Sequence, residues 1–205
     1  ALDQIRPGNV GDLVIVWRWT SPDEAILKAH PDLKTFVNEA TPLKIGRVLY
    51  TSTSMSQVAA IDAVTGETIW VYDPKTWEDG TPANVGFVHR GVAYWEDGDD
   101  RRILYGTGDA YLIALNADTG EPISEFGEHG RVDLTKGLRR DVDRSLYALS
   151  SPPAICRDVV VAGSTVLDAF AVGRPPNAVM PPGDVRGFDV RTGEMRWIFH
   201  TVPQE

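Results

Sequence analysis

The sequence predicts an all-β protein built from β-propeller blades. One motif occurs three times, as AAIDAVTGETIW (59–70), IALNADTGEPIS (113–124) and RGFDVRTGEMRW (186–197). Each copy is flanked by short strand-like runs, and helix signals are sparse. Internal repetition at this scale belongs to blades, solenoids or arrays. About four short strands per repeat with a periodic Gly/aromatic motif points to a propeller. A plain antiparallel sandwich is the alternative, but it leaves the repeated Thr-Gly-Glu without a reason.

The copies share the pattern apolar–Asp/Asn–x–x–Thr-Gly-Glu. Their Thr-Gly pairs start at 65, 119 and 192, so the spacings are 119 − 65 = 54 and 192 − 119 = 73 residues. Asp62, Asn116 and Asp189 can cap a turn with their side chains. Gly66, Gly120 and Gly193 can supply the positive φ of a tight turn. Trp70 and Trp197 are expected to pack between neighbouring blades. The middle copy has Ser124 at that position and departs from the pattern.

Strand-like runs precede the turns (VAAID, YLIALN) and follow two of them (TIWVY, MRWIF). Further strands are expected in 47–54, 91–95, 102–108 and 158–164. The best helix candidate is SPDEAILKAH (21–30), with Ser21 as N-cap, Pro22 at the first position and Glu24 completing a capping box. The Pro-rich stretch 164–188 is too long for a hairpin loop, and long loops in compact β folds tend to be functional.

Composition excludes several classes. The chain has 205 residues, with 20 Lys+Arg against 29 Asp+Glu, a formal charge of −9. Nucleic-acid binding needs a concentrated basic patch. The densest basic run, Arg139-Arg140 with Arg144, is broken by Asp141 and Asp143. Hydrophobic residues make up 42%, enough for a core. The longest apolar run, Leu13 to Trp17, is far short of the ~20 residues of a membrane-spanning helix. No charged-then-apolar leader is visible, which fits a processed start or a start inside a longer product. Cys156 is the sole cysteine, so no intramolecular disulfide or Cys-based metal site is possible.

The repeat AIDAVTGETIW is similar to the tryptophan-docking motif of pyrroloquinoline quinone (PQQ)-dependent dehydrogenases. The stretches 38–54, 89–95, 150–164 and 184–199 also resemble the glucose dehydrogenase branch of that family, in order. The resemblance implies blades of an eight-bladed quinoprotein propeller in the periplasm, with PQQ and calcium as cofactors. It implies a sugar or alcohol substrate oxidised by hydride transfer, with electrons passed to a quinone or a cytochrome. It leaves room for membrane association through segments outside the chain. Residues 1–205 are then three to four blades from the N-terminal part of a longer polypeptide. An open run of blades would leave strand edges and a radial face uncovered.

Carried over residue by residue, the resemblance implies cofactor contacts from Glu39, Arg90, Ser150, Ser164 and Thr165, and a calcium-ligand role for Asp168. A permanent planar cation such as Arg90 suits the three carboxylates of PQQ, and calcium favours carboxylate oxygens. Blander roles compete: Glu39 as a turn cap, Arg90 in an ion pair with the acidic turn EDGDD (96–100), Ser150 as an ordinary loop serine, Asp168 as a solvated acid. Two departures stand out. Asn84 and Val85 occupy the positions of the vicinal cysteines of the methanol and ethanol enzymes. Gly86 replaces a histidine found in a membrane glucose dehydrogenase, while His89 reads as a partly exposed loop histidine without a role. The family's catalytic aspartate belongs to a later blade, so no catalytic residue is expected here. A non-enzymatic propeller scaffold that shares the repeat is the alternative. A hydrolase or lectin propeller finds no Ser-His-Asp arrangement or metal-His cluster.

Overall fold

The computed structural model describes residues 4–35, 37–82, 86–164 and 181–201. These contain three four-stranded antiparallel sheets. The first holds β1 (Leu43–Ile45), β2 (Val48–Ser52), β3 (Val58–Asp62) and β4 (Thr68–Tyr72). The second holds β5 (Ala93–Asp97), β6 (Asp100–Gly106), β7 (Tyr111–Asn116) and β8 (Arg131–Asp133). The third holds β9 (Ala154–Cys156), β10 (Val159–Ala162), β11 (Val185–Asp189) and β12 (Met195–Phe199). In each sheet the strands lie side by side in chain order.

The middle strands are buried on both faces, which is why their sequences are apolar throughout rather than alternating. Ile103, Tyr105, Ile113 and Leu115 point one way, into a core shared with Tyr50, Val58 and Ala60 of the first sheet. Leu104, Leu112 and Ala114 point the other way, into a core with Val160, Ala162 and Phe188 of the third. The period of two along β6 and β7 thus serves two cores at once. The first strands of the second and third sheets, β5 and β9, touch.

The repeated motif forms the same turn three times. Asp62 Oδ1 accepts from the amides of Val64 (2.8 Å) and Thr65 (3.0 Å). Asn116 Oδ1 accepts from Asp118 and Thr119, and Asp189 Oδ1 from Arg191 and Thr192. The glycines have φ of 76°, 76° and 74°. Each glycine amide donates to the carbonyl of the Asp or Asn four residues earlier, at 2.8–2.9 Å. Burial is minor for Asp62, and these amides with Arg47 hold its carboxyl down at about 2.

The glycines also explain how the sheets join. A Cβ on Gly120 would lie 2.6 Å from the Trp70 ring, so only glycine lets the indole approach. Trp70 Nε1 donates to the Ala117 carbonyl at 3.0 Å, tying β4 to the turn of the next sheet. The first sheet receives the same contact from outside the repeat. Trp17 lies 2.6 Å from the Cβ position of Gly66 and donates to the Ala63 carbonyl at 3.3 Å. The third junction differs. Pro122 has no amide to donate, and the outer strand of the second sheet forms only at Arg131 after a detour. Position 124 lies in that detour, and backbone fills the gap: Gly127 N donates to Thr192 O at 2.8 Å. Trp197, expected between blades, lies over Gly187 of its own sheet and is 41% exposed.

The helix, α1 (Asp23–Ala29), starts two residues later than the span 21–30 suggests. Ser21 Oγ accepts from the Asp23 amide (3.3 Å), while Pro22 occupies the cap position without a side-chain bond. Asp23 itself is buried. Its carboxylate accepts from Thr53 Oγ1, Gln57 Nε2 and the Met55 amide, docking the helix on the β2–β3 connection. No helix among the described residues is long and apolar enough to cross a membrane.

Candidate cofactor-binding site

Three segments lead into the first strands of the three sheets, and each carries one expected site residue. Glu39 lies four residues before Leu43, Arg90 three before Ala93 and Ser150 four before Ala154. They meet at the sheet ends opposite the repeated turns. Arg90 Nε is 2.9 Å from Glu39 Oε2. Arg90 Nη1 donates to Ser150 Oγ at 2.9 Å. The backbone repeats the connection: Arg90 N donates to Ser150 O (2.8 Å), and Thr41 N donates to Arg90 O (3.1 Å).

The guanidinium is therefore held by two side chains, while the Arg90 side chain as a whole stays 41% exposed against 42% for Glu39. An arginine has five donors in a planar fork. Bonds to Glu39 and Ser150 leave it able to receive a further anion from solvent. Cavities of about 250 Å³ around Thr76, Asp109 and Arg144, and about 200 Å³ around Trp17, Asn38 and Ser52, do not include the cluster.

The acidic turn after β5 does not compete for Arg90. Asp97 pairs with Arg191 at 2.6 Å, and Asp100 takes Arg102 with both oxygens at 2.8 Å. Register puts these at the far end of β5, where Asp97 faces Asp100 across the hairpin.

His89 is not the partly exposed loop residue its sequence position suggests. It is 1% exposed, with Nδ1 2.7 Å from Ser52 Oγ and Nε2 2.7 Å from Gly106 O. Burial is the main cause of its lowered pKa, about 4, and the charge of Arg90 adds to the effect. The imidazole is neutral at physiological pH. Its neighbour Tyr105 meets it edge-on, ring centroids 5.8 Å apart. No signal in a lone His-Arg pair marks such burial; it follows from three sheets converging on this loop.

Ser164 is half-buried just beyond β10. Thr165 and Asp168 lie outside the described residues, as do Asn84 and Val85. Among the described residues no group of three His, Cys, Asp or Glu side chains converges as a metal site.

Three successive four-stranded sheets, joined through a repeated Asp/Asn–Thr-Gly turn and gathered around one polar cluster, define a β-propeller protein of the tryptophan-docking kind. The β-propeller domain of PQQ glucose/ethanol/alcohol dehydrogenases matches residues 1–205, and the chain belongs to that family. It is 32% identical to quinoprotein glucose dehydrogenase A of Acinetobacter calcoaceticus, over 98% of this chain and 26% of that protein. It is 34% identical to the dehydrogenase subunit of the quinone-linked alcohol dehydrogenase of Gluconobacter oxydans (strain 621H), over 98% of this chain and 23% of that subunit. The solved quinohemoprotein alcohol dehydrogenase of Comamonas testosteroni superposes with a TM-score of 0.72 at 28% identity, covering all of this chain and 25% of that one. The chain thus spans about a quarter of the length of the relatives it matches.

Proposed function

We propose that this chain forms part of the PQQ-binding site of a dehydrogenase that oxidises a sugar or an alcohol. The observation that carries this reading is the Glu39–Arg90–Ser150 cluster in a member of the PQQ dehydrogenase family. PQQ, when bound, supplies an ortho-quinone able to accept a hydride. The chain's own residues bind and orient. Arg90 would grip a cofactor carboxylate through a charge-assisted bond. Ser150 and Glu39 fix the plane of its fork. Ser150 can also turn its hydroxyl toward a carboxylate. A scaffold has no need for an arginine held in this way.

The finer parts of the reading rest on the sequence resemblance. These are calcium with Asp168 as a ligand, contacts from Ser164 and Thr165, a quinone or cytochrome as electron acceptor, and a periplasmic location. The expectation of no catalytic residue within 1–205 rests on it too, and no proton-transfer step is assigned to any residue of this chain.

Titration of PQQ into the complete apo-polypeptide that carries this chain tests the reading. A hydrogen bond to a charged group is worth about 1.5–3 kcal/mol, so Arg90→Ala should weaken binding by about 10- to 100-fold. Unchanged affinity would remove Arg90 from the site.

A further inference from the structure

We propose that His89 is a positioning residue for the cofactor site: its imidazole, bridging Ser52 of β2 and the Gly106 carbonyl of β6, fixes the backbone from which Arg90 projects. The proposal rests on the reading of Arg90 as a ligand for PQQ.

The bonds define a single arrangement. Gly106 O can only accept, so Nε2 must carry the proton. Nδ1 then accepts, from Ser52 Oγ–H at 2.7 Å and from the Gly91 amide at 3.3 Å. One neutral tautomer satisfies all three contacts. The groups facing the ring are Ser52, Gly106, Gly91, the Tyr105 ring and the adjoining Arg90.

The bridge spans two sheets, since Ser52 ends β2 and Gly106 ends β6. Arg90 follows directly, with its amide on Ser150 and its carbonyl on Thr41. Gly91 has φ of 138°, and a Cβ there would lie 3.1 Å from Thr41 O. The loop therefore has little room to relax. The imidazole sets where the guanidinium stands relative to Glu39, which leads into the first sheet, and Ser150, which leads into the third. Leucine at 89 would fill the volume and lose all three contacts. Glutamine could keep a donor and an acceptor.

A double-mutant cycle on PQQ affinity in the complete apo-polypeptide separates positioning from general stability. His89→Leu should weaken PQQ binding about tenfold when Arg90 is present, at the low end of what orienting groups contribute at metal sites. In the Arg90→Ala background the same change should cost less than about twofold, because a residue acting only through Arg90 has nothing left to position. His89→Gln should recover most of the affinity. Equal losses in both backgrounds, or no loss with Arg90 present, would overturn the proposal. If His89→Leu fails to fold, Ser52→Ala takes its place in the cycle, with the same non-additivity expected and the same additivity fatal. If Arg90→Ala alone leaves affinity unchanged, the cofactor reading fails instead, and that outcome is visible in the same data.

Discussion

At the turn end of the sheets, acidic groups and arginines recur in equivalent places and satisfy each other locally. Arg47 meets Asp62, Arg101 meets Asp118, and Arg191 meets both Asp97 and Asp158. The three turns use the same hydrogen bonds. At the opposite end, the segments entering the three sheets use three different residues, Glu39, Arg90 and Ser150, on one shared contact. What repeats in every sheet builds the fold. What occurs once, and joins segments of all three sheets, is where the binding site is proposed. Substitutions at the two ends should therefore have separable consequences, in stability at one end and in ligand binding at the other.

The largest expected effect on stability is at a junction between sheets. Trp70→Ala removes the indole packed on Gly120 and its bond to Ala117. Loss of a large core aromatic costs about 3–5 kcal/mol, and the half-buried position of Trp70 puts the expectation near the lower end. Trp17→Ala should resemble it, since it docks on Gly66 in the same way. Denaturant melts of the two variants check this. A loss under about 1 kcal/mol at Trp70 would mean that the indole contact is not what joins the sheets.

Acid should divide the two ends by pH. His89 has a folded pKa of about 4 against an ordinary value of 6.5, with burial the main cause. Above about 6.5 it is neutral in both states and has no effect. As pH falls from about 6.5 to about 4, the unfolded chain takes up a proton that the folded chain refuses, and stability drops by up to about 3 kcal/mol. Asp62 and Asp189 respond lower. Both carboxyls are held at about 2, Asp62 first by the Thr65 amide, Asp189 by backbone amides and Arg196 against an opposing effect of burial. Their stabilisation is present above the ordinary carboxylate value near 4 and is lost as pH falls toward 2. His89→Gln should flatten the first limb of the stability curve and leave the second. An unchanged first limb would show that His89 is not the buried neutral group described.

Gly120→Ala should cost about 2 kcal/mol, combining a positive φ with a Cβ crowding the indole. The smallest effect belongs to the exposed pair at the turn end. Arg47→Ala should change stability by less than about 1 kcal/mol, because Arg47 is 65% exposed and surface ion pairs are weak. A larger loss would mean that the turn depends on the arginine as well as on its own amides.

Much of the fold was legible because it repeats. Strand-like runs beside the Thr-Gly turns and elsewhere along the chain located eight of the twelve strands, each within two residues at both ends. Of the four not named, β1, β8 and β9 are each three residues long, too short to show a period, and β11 overlaps the third copy of the motif. The Trp17 contact was hidden because its segment lies outside the repeat and forms no strand. Its signal was spacing: 66 − 17 = 49 residues from Trp17 to Gly66, against 120 − 70 = 50 from Trp70 to Gly120. The expectation of cofactor contacts from Glu39, Arg90 and Ser150 came from the family resemblance and not from local pattern, and what the structure adds is that the three side chains meet. Their meeting depends on three distant segments. His89 was misread because burial of a loop residue is a property of the sheets around it. No neighbouring residue in the sequence encodes it.

The most direct test of the central claim compares Arg90→Ala with the wild type in the complete apo-polypeptide, following PQQ affinity and the melting midpoint together. An arginine at the non-repeating end should give a 10- to 100-fold loss of PQQ affinity, as for a lost charge-assisted bond. With half-exposed partners, it should shift stability by less than about 1 kcal/mol. Full PQQ affinity with a lowered melting point would contradict the account, since Arg90 would then belong with the structural pairs at the other end.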